Sequence, residues 1–254
     1  MIEDLKGLRA LVTGSSTGIG AAVAKAYAAH GMRVVVHYNS SEDKARAVVD
    51  AIKAAGGEAH ALKADVSSTA ATVELVEKAA ELLGGLDVLV NNAGALVKRV
   101  RIADMEDDVF DEIVNLNIRS VVMASKTALP HLAKSGKGCV INLASVAARN
   151  GGGPGATIYA SAKAFVLNLT RGMAKEFNEQ GVRVNAVSPG VIATPFHERF
   201  STPEMLETMR KTIPMGRLGT ADENVGAFLF LASPAMSGYI TGQSIEVNGG
   251  QVMV

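Results

Sequence analysis

The chain of 254 residues has one cysteine, no excess charge of either sign and no long apolar run, and each scarcity excludes a class of protein. With Cys139 as the only thiol, no internal disulfide can form. Its neighbours Val140 and Ile141 make it part of an apolar run that reads as a buried strand rather than a reactive thiol. A reducing cytosol suits such a chain, so a cytoplasmic protein is expected. Lys plus Arg and Asp plus Glu number 25 each, a formal charge of zero. Nothing suggests a polyanion-binding face or an acidic tail, and nucleic acid is not an expected partner. No segment approaches the ~18 consecutive apolar residues of a membrane helix, and Met1-Ile2-Glu3-Asp4-Leu5-Lys6 lacks the basic and apolar regions of a secretory signal. No membrane association and no metal site are expected.

What is present is 48% apolar content, 20% charge and 26 glycines, the make-up of one sizeable soluble domain, taken here as residues 1–254. Internal repeats, low-complexity segments and linkers are lacking. Short β-branched runs alternate with helical patterns, which predicts an α/β fold with a doubly wound parallel sheet of the Rossmann type and helices on both faces. Seven strands are expected: Ala10 to Thr13, Arg33 to Tyr38, Ala59 to Lys63, Asp87 to Asn91, Cys139 to Leu143, Arg183 to Val187 and Ser244 to Val247. Ile19, Ala22, Val23, Ala26 and Tyr27 recur at helical spacing before Gly31. Ser41 to Ala55 and Thr69 to Leu83 read as helices closed by glycine pairs. Ligands of such sheets bind outside the carboxyl ends of the strands. Pro195 to Thr220 is a long excursion whose Ser201-Thr202-Pro203-Glu204 starts a helix bearing Met205, Leu206 and Met209, and it is expected to form an ordered substrate lid.

Thr13-Gly14-Ser15-Ser16-Thr17-Gly18-Ile19-Gly20 sets three glycines between a strand and an Ala-rich helix, where backbone amides and the helix N-terminus can hold a pyrophosphate. The spacing is G-x3-G-x-G, not G-x-G-x-x-G, and such a turn is also found as plain structure. The second strand ends Val36-His37-Tyr38-Asn39-Ser40-Ser41, with no carboxylate before Glu42. A ribose 2′-phosphate is therefore not repelled, which favours NADP; no Arg or Lys stands there to attract one, so a helix cap with dual NAD use is the alternative. Tyr159 and Lys163 lie four residues apart on one helical face, where an ammonium would favour phenolate. An arbitrary Tyr-xxx-Lys pair is more often a partly buried tyrosine with a surface lysine, so context decides.

Taken in order, Thr13-Gly14-xxx-Gly18-Ile19-Gly20, Asp65-Val66, Asn91-Asn92-Ala93-Gly94, Asn117, Ser145, Tyr159-xxx-Lys163 and Ser188-Pro189-Gly190 resemble the short-chain dehydrogenase/reductase family from Gly7 to Gly250. The resemblance implies a catalytic set of Asn117, Ser145, Tyr159 and Lys163: tyrosine as acid/base, lysine lowering its pKa and holding the nicotinamide ribose, serine binding the substrate oxygen and Asn117 supporting a water relay. It implies a cofactor site of Gly14, Ser16, Thr17, Gly18, Ile19, Tyr38, Asn39, Ser40, Asp65, Val66, Asn91, Ala93, Gly94, Pro189, Gly190, Ile192 and Thr194, shared with Tyr159 and Lys163. NADP is the expected cofactor, with NAD possible. The implied reaction moves a hydride between the nicotinamide and a carbonyl/alcohol pair.

Leu96, Val97, Phe196, His197, Phe200, Met205, Met209 and Ile213 are candidates to line the substrate, and Arg149 and His197 read either as a solvated charge and a loop residue or as substrate contacts. The pattern resembles 3-oxoacyl-carrier-protein reductases, with glucose or polyol dehydrogenases and ketone reductases as alternatives; Lys134, Lys137 and Lys175 are the candidates to dock an acidic carrier. The loop from Ser145 to Tyr159 departs from the family in being about one residue longer and richer in glycine. A nucleotide-binding regulator without turnover is the reading from another class, opposed by the intact catalytic set. The helices around Asn117 and Tyr159 and the Gly242 to Gly250 segment resemble the family's tetramer interfaces, which implies a homotetramer.

Overall fold

Residues 10–12 show in miniature how this sequence builds its sheet: Ala10 and Val12 join one buried cluster and Leu11 the other. The same alternation holds for Val34, Val35 and Val36, for Val88, Leu89 and Val90, and for Cys139, Val140 and Ile141. Both faces of each strand are covered, which is why these strands read as unbroken apolar runs rather than alternating ones. The computed structural model describes residues 2–254.

Strands β1 (Arg9–Val12), β2 (Arg33–Tyr38), β3 (Glu58–Lys63), β4 (Val88–Asn91), β5 (Cys139–Leu143), β6 (Arg183–Pro189) and β7 (Ser244–Val247) form one sheet in the order β3-β2-β1-β4-β5-β6-β7. Every pairing is parallel. Helices α1 (Gly18–Ala29), α2 (Glu42–Ala54) and α3 (Thr69–Leu83) connect the first four strands. After β4 come α4 (Asp107–Val114), a π-helical turn (Asn115–Arg119) and α5 (Ser120–Ser135). The remaining helices are α6 (Ala147–Asn150), α7 (Thr157–Asn178), α8 (Pro195–Phe200), α9 (Pro203–Lys211), α10 (Asp222–Ala232) and α11 (Pro234–Ser237). The strand order reverses direction between β1 and β4, so the loops leaving those two strands diverge and open a crevice at their carboxyl ends.

The seven expected strands are all present, with small shifts at their ends. β1 ends at Val12, and Thr13 just beyond it donates both its backbone N–H and its hydroxyl to the Val90 carbonyl, at 3.0 and 3.2 Å. β4 starts at Val88, and Asp87 just before it is held by Arg9, whose Nε and Nη2 donate to its two carboxylate oxygens at 2.7 and 2.8 Å. β6 runs on to Pro189, paired with Val247 of the last strand. Cys139 is buried and donates to the Leu231 carbonyl at 3.3 Å, as its apolar run suggested.

In the excursion after β6 the expected helix is α9, with Thr202 accepting at its hydroxyl from Met205 N at 3.3 Å and Pro203 in the first turn. A second helix, α8, precedes it. Thr194-Pro195 carries the same threonine-proline signature at its start.

Candidate active site

The carboxyl ends of β1, β2, β4, β5 and β6 line a single cleft of about 600 Å³. Its first wall is the glycine turn. The Thr13 hydroxyl accepts from the backbone N–H of Asn92 and of Ala93, both at 3.0 Å, while the Asn92 amide donates to the carbonyls of Thr13 and Gly14 at 2.8 and 3.0 Å. The β1 and β4 loops are thus stitched together. A Cβ on Gly20 would lie 2.5 Å from Asn92 Nδ2 and 2.7 Å from the Gly14 carbonyl, so only glycine lets α1 begin this close to the turn. Thr17 caps α1 with no side-chain bond, which leaves the helix's first N–H groups directed to the cleft beside Ser16, Gly18 and Ile19.

His37 ties three strands together at this end. Its Nδ1 accepts from Gly14 N at 2.8 Å, which places the ring proton on Nε2, 3.0 Å from the Ala64 carbonyl that receives it. Burial pushes the imidazole pKa below its usual value, against smaller upward pulls from the Ala64 carbonyl and the Asp65 carboxylate. Beyond it, Tyr38, Asn39, Ser40, Asp65 and Val66 line the cleft. Asp65 accepts from the Ser67 backbone and hydroxyl at 3.0 and 2.7 Å, and it is the one carboxylate among the described residues that line the cleft.

The opposite wall carries the candidate catalytic groups. Ser145 follows β5, lines the cleft and accepts at its hydroxyl from Ala147 N at 3.1 Å, just ahead of α6. Tyr159 and Lys163 face the cleft from the first turns of α7, where the lysine nitrogen stands 5.7 Å from the tyrosine ring centre. The expected electrostatics come out differently. Burial pushes the Tyr159 phenol up to about 12, opposed by the Ser145 hydroxyl beside it. Burial likewise lowers Lys163 to about 8, and its ammonium donates to the Leu143 carbonyl at 2.9 Å rather than to the phenol. Desolvation therefore outweighs the Ser145 hydrogen bond at this tyrosine.

Asn117 lies fully buried behind this wall, inside the π-helical turn. Its amide donates to Ile113 O, four residues back, and to Ala95 O, both at 2.9 Å. Its Oδ1 is buried with no partner among the described residues. A Cβ on Gly94 would meet that oxygen at 2.8 Å and Lys163 Nζ at 3.1 Å, so the two polar groups converge on one glycine.

Of the expected cofactor residues, Gly14, Ala93, Gly94, Pro189, Gly190, Ile192 and Thr194 also line the cleft. Asn91 does not. Its amide is turned into the core, donating to Ser125 Oγ and Asn142 Oδ1 at 2.9 Å each, because the side chains of successive strand residues face opposite ways. Asn92 is the neighbour that meets the cleft, and the Asn91-Asn92 pair was the signal available for it. Among the substrate candidates Leu96, Phe196, His197 and Met209 line the cleft; Val97, Phe200, Met205 and Ile213 do not. Arg149 is no solvated charge: it pairs with Glu246 at 3.2 Å, away from the cleft. His37, Asn92 and Arg99 are cleft residues to which sequence reasoning gave no role.

The residues present fit a nicotinamide dinucleotide. An uncapped helix N-terminus suits the pyrophosphate, the elongated cleft connects it to Tyr159 and Lys163, and the orphaned Asn117 oxygen awaits a donor beside Lys163. Such a cleft on a doubly wound sheet defines a dinucleotide-dependent oxidoreductase. A family model described as enoyl-(acyl carrier protein) reductase matches residues 14–251. The chain is 41% identical over 248 residues to a 3-oxoacyl-[acyl-carrier-protein] reductase of Synechocystis sp., covering 96% of each. Among solved structures it resembles the NADH-dependent reductase A1-R′ responsible for alginate metabolism, with a TM-score of 0.92 and 39% identity over 99% of this chain and 100% of that one. It also resembles a short-chain dehydrogenase from Burkholderia cenocepacia in complex with NADP, with a TM-score of 0.90 and 34% identity over 98% and 99%. The chain belongs to the short-chain dehydrogenase/reductase family and is an NAD(P)-dependent oxidoreductase acting on CH–OH and keto groups. No helix among the described residues is long and apolar enough to cross a membrane.

Proposed function

We propose that this protein is an NADPH-preferring reductase of a small-molecule carbonyl compound, with Tyr159 as proton donor. The observation that carries the reading is the convergence of Ser145, Tyr159, Lys163 and Asn117 on one wall of the cleft. The reduced nicotinamide supplies the hydride to the carbonyl carbon when bound. The chain's own groups do the rest. Ser145 donates a hydrogen bond to the carbonyl oxygen and fixes the plane of attack. Tyr159, kept protonated by a pKa of about 12, delivers its proton to that oxygen as negative charge develops there. Lys163, at about 8, is cationic at neutral pH, holds the ribose and stabilises the phenolate left behind. Asn117, fixed by its two carbonyl partners, holds its free oxygen toward Lys163 to accept from a water that returns the proton.

The absence of any carboxylate between Tyr38 and Glu42 supports a preference for NADPH over NADH. Residues 195–220 serve as the lid: α8 brings Phe196 to 5.6 Å from the Tyr159 ring. A single catalytic domain, a homotetramer and a cytoplasmic setting complete the reading. Reduction of a 3-oxoacyl thioester is the second reading, favoured by the likeness to a 3-oxoacyl-[acyl-carrier-protein] reductase. Against it, Lys134 is in the last turn of α5, Lys137 follows that helix and Lys175 is in the last turn of α7, so all three are at the amino end of the sheet, away from the cleft mouth.

Oxidation of NADPH, with NADH in parallel, against a panel of ketones, aldehydes, sugars and acetoacetyl thioester tests the assignment. Tyr159→Phe is expected to bind cofactor normally and lose at least about 10²-fold in turnover, the scale of general acid catalysis. Near-normal turnover by that variant rejects the role, and cofactor binding without turnover of any carbonyl returns the protein to the non-catalytic regulator class.

A further inference from the structure

The substrate end of the cleft holds charge of one sign only. Arg99 lies there half-buried, eight residues beyond β4, in the segment Lys98-Arg99-Val100-Arg101 that has no carboxylate before Asp104. Its Nε donates to the Phe200 carbonyl of α8 at 2.6 Å and its Nη1 to the Pro154 carbonyl of the glycine-rich loop at 3.0 Å. Both partners are neutral. Arg9, Arg33, Arg46, Arg149, Arg210 and Arg217 each pair with a carboxylate; Arg183 has none either, but it lies outside the cleft and both its terminal nitrogens are taken up by the Ser237 and Leu231 oxygens. Among the described residues nothing pairs with Arg99 Nη2, so the guanidinium keeps N–H donors free at the cleft. His197 stands beside it, its Nδ1 2.9 Å from Ser201 Oγ.

An arginine stays charged at any physiological pH, and a partly desolvated cation without a counter-ion is costly, so such an arrangement is retained where a ligand brings the opposite charge. Burial alone pulls Arg99 below its usual pKa, with no carboxylate to offset it, and burial together with Arg99 keeps His197 neutral at pH 7. Lys163, the other cation of this wall, is engaged with the ribose and the phenolate in the reading above, so Arg99 is the charge left for the substrate, and a monoanion balances it. The two oxygens of a carboxylate match a guanidinium edge, whereas a phosphate dianion would be left half-compensated.

We infer that the substrate is a carbonyl compound bearing a carboxylate, and that Arg99 is the residue selecting it. The inference rests on the carbonyl-reductase reading above. It also accounts for the lid: Arg99 joins the β4 loop, the glycine-rich loop and the end of α8, so a carboxylate on Nη2 would brace the three segments that enclose the substrate.

The test is a ladder of 2-, 3-, 4- and 5-oxo carboxylates, each beside its methyl ester, assayed with NADPH for wild type, Arg99→Met and Arg99→Lys. At least one acid is expected to exceed its ester about 10–100-fold in kcat/KM, chiefly through KM, the scale of a charge-assisted hydrogen bond. Arg99→Met should erase that ratio and Arg99→Lys restore part of it. Esters reduced as well as acids throughout, or acids and esters losing equally in Arg99→Met, overturn the inference and leave Arg99 as a latch between Pro154 and Phe200. Preference for a phosphorylated carbonyl over every acid overturns it as well. Each of these results leaves the reductase reading standing; failure of wild type to reduce any acid, ester or neutral ketone removes both. Should Arg99→Met not fold, the wild-type acid-to-ester ratio and Arg99→Lys decide.

Discussion

Alanine at Gly94 is the smallest change that addresses the proposed catalytic wall. The backbone angles of Gly94 lie outside the left-handed region, so alanine brings no conformational strain. Its methyl would nevertheless sit 2.8 Å from Asn117 Oδ1 and 3.1 Å from Lys163 Nζ, where ordinary contact begins at 3.4 Å. The Asn117 oxygen must then retreat by 0.6 Å, the difference between 3.4 and 2.8 Å. Asn117 is pinned by bonds of 2.9 Å to Ala95 O and Ile113 O, so that movement weakens at least one of them, a loss of about 1–2 kcal/mol. If Asn117 and Lys163 act together in returning the proton, the displacement lowers kcat about 10–100-fold, in line with the cost of ångström-scale misplacement in an active site. Steady-state NADPH oxidation gives kcat, fluorescence titration gives the NADPH Kd, and the melting temperature checks the fold. Asn117→Ala removes the oxygen that the methyl strikes, so the double variant should lose far less than the product of the single losses. A Gly94→Ala enzyme within twofold of wild-type kcat, or single losses that multiply in the double variant, refutes the reasoning.

Three further outcomes are expected. With Lys163 lowered to about 8 by burial, the cationic lysine that supports reduction is lost as pH rises, so kcat/KM for reduction should be level at neutral pH and fall above about pH 8; a level profile to pH 9.5 rejects the lysine's role. Asn39→Asp places a carboxylate where the 2′-phosphate is expected, and repulsion of about 1–2 kcal/mol should cut the NADPH-to-NADH ratio of kcat/KM about 5–30-fold, whereas an unchanged ratio would place the 2′-phosphate elsewhere. His37 is neutral in the fold and its pKa lies below the unfolded value of 6.5, so the unfolded chain takes up a proton first as pH falls. Its contribution to stability is complete above about pH 6.5 and declines below it; the melting temperature of the free protein should drop more between pH 7 and 5.5 than that of His37→Asn, and equal drops refute the linkage.

The apolar runs determined the sheet because a strand buried on both faces leaves its composition as its signature, and the glycines after Ser41 to Ala55 and Thr69 to Leu83 closed helices that end where expected. The spacing of Tyr159 and Lys163 was equally local: four residues on a helix are neighbours whatever the rest of the chain does. The irregular helix at Asn117 fits a poor helix former that bonds the carbonyl of its own turn. Other features depend on distances that sequence does not contain. That Asn92, not Asn91, meets the cleft depends on which way a strand's last side chain points. That Tyr159 is pushed up by burial rather than down by Lys163 depends on an ammonium directed at Leu143 O. The role of His37 needs Gly14 and Ala64 brought to its two ring nitrogens, and the unpaired charge of Arg99 appears only once residues 154 and 200 converge on it. Sequence by itself determined the fold, because that follows from periodicity and short-range spacing, and its ordered motifs carried the resemblance that implied the family and the candidate reacting groups; tertiary structure decided the electrostatics of those groups and the charge of the substrate end, because both arise from burial and from partners far apart in the chain.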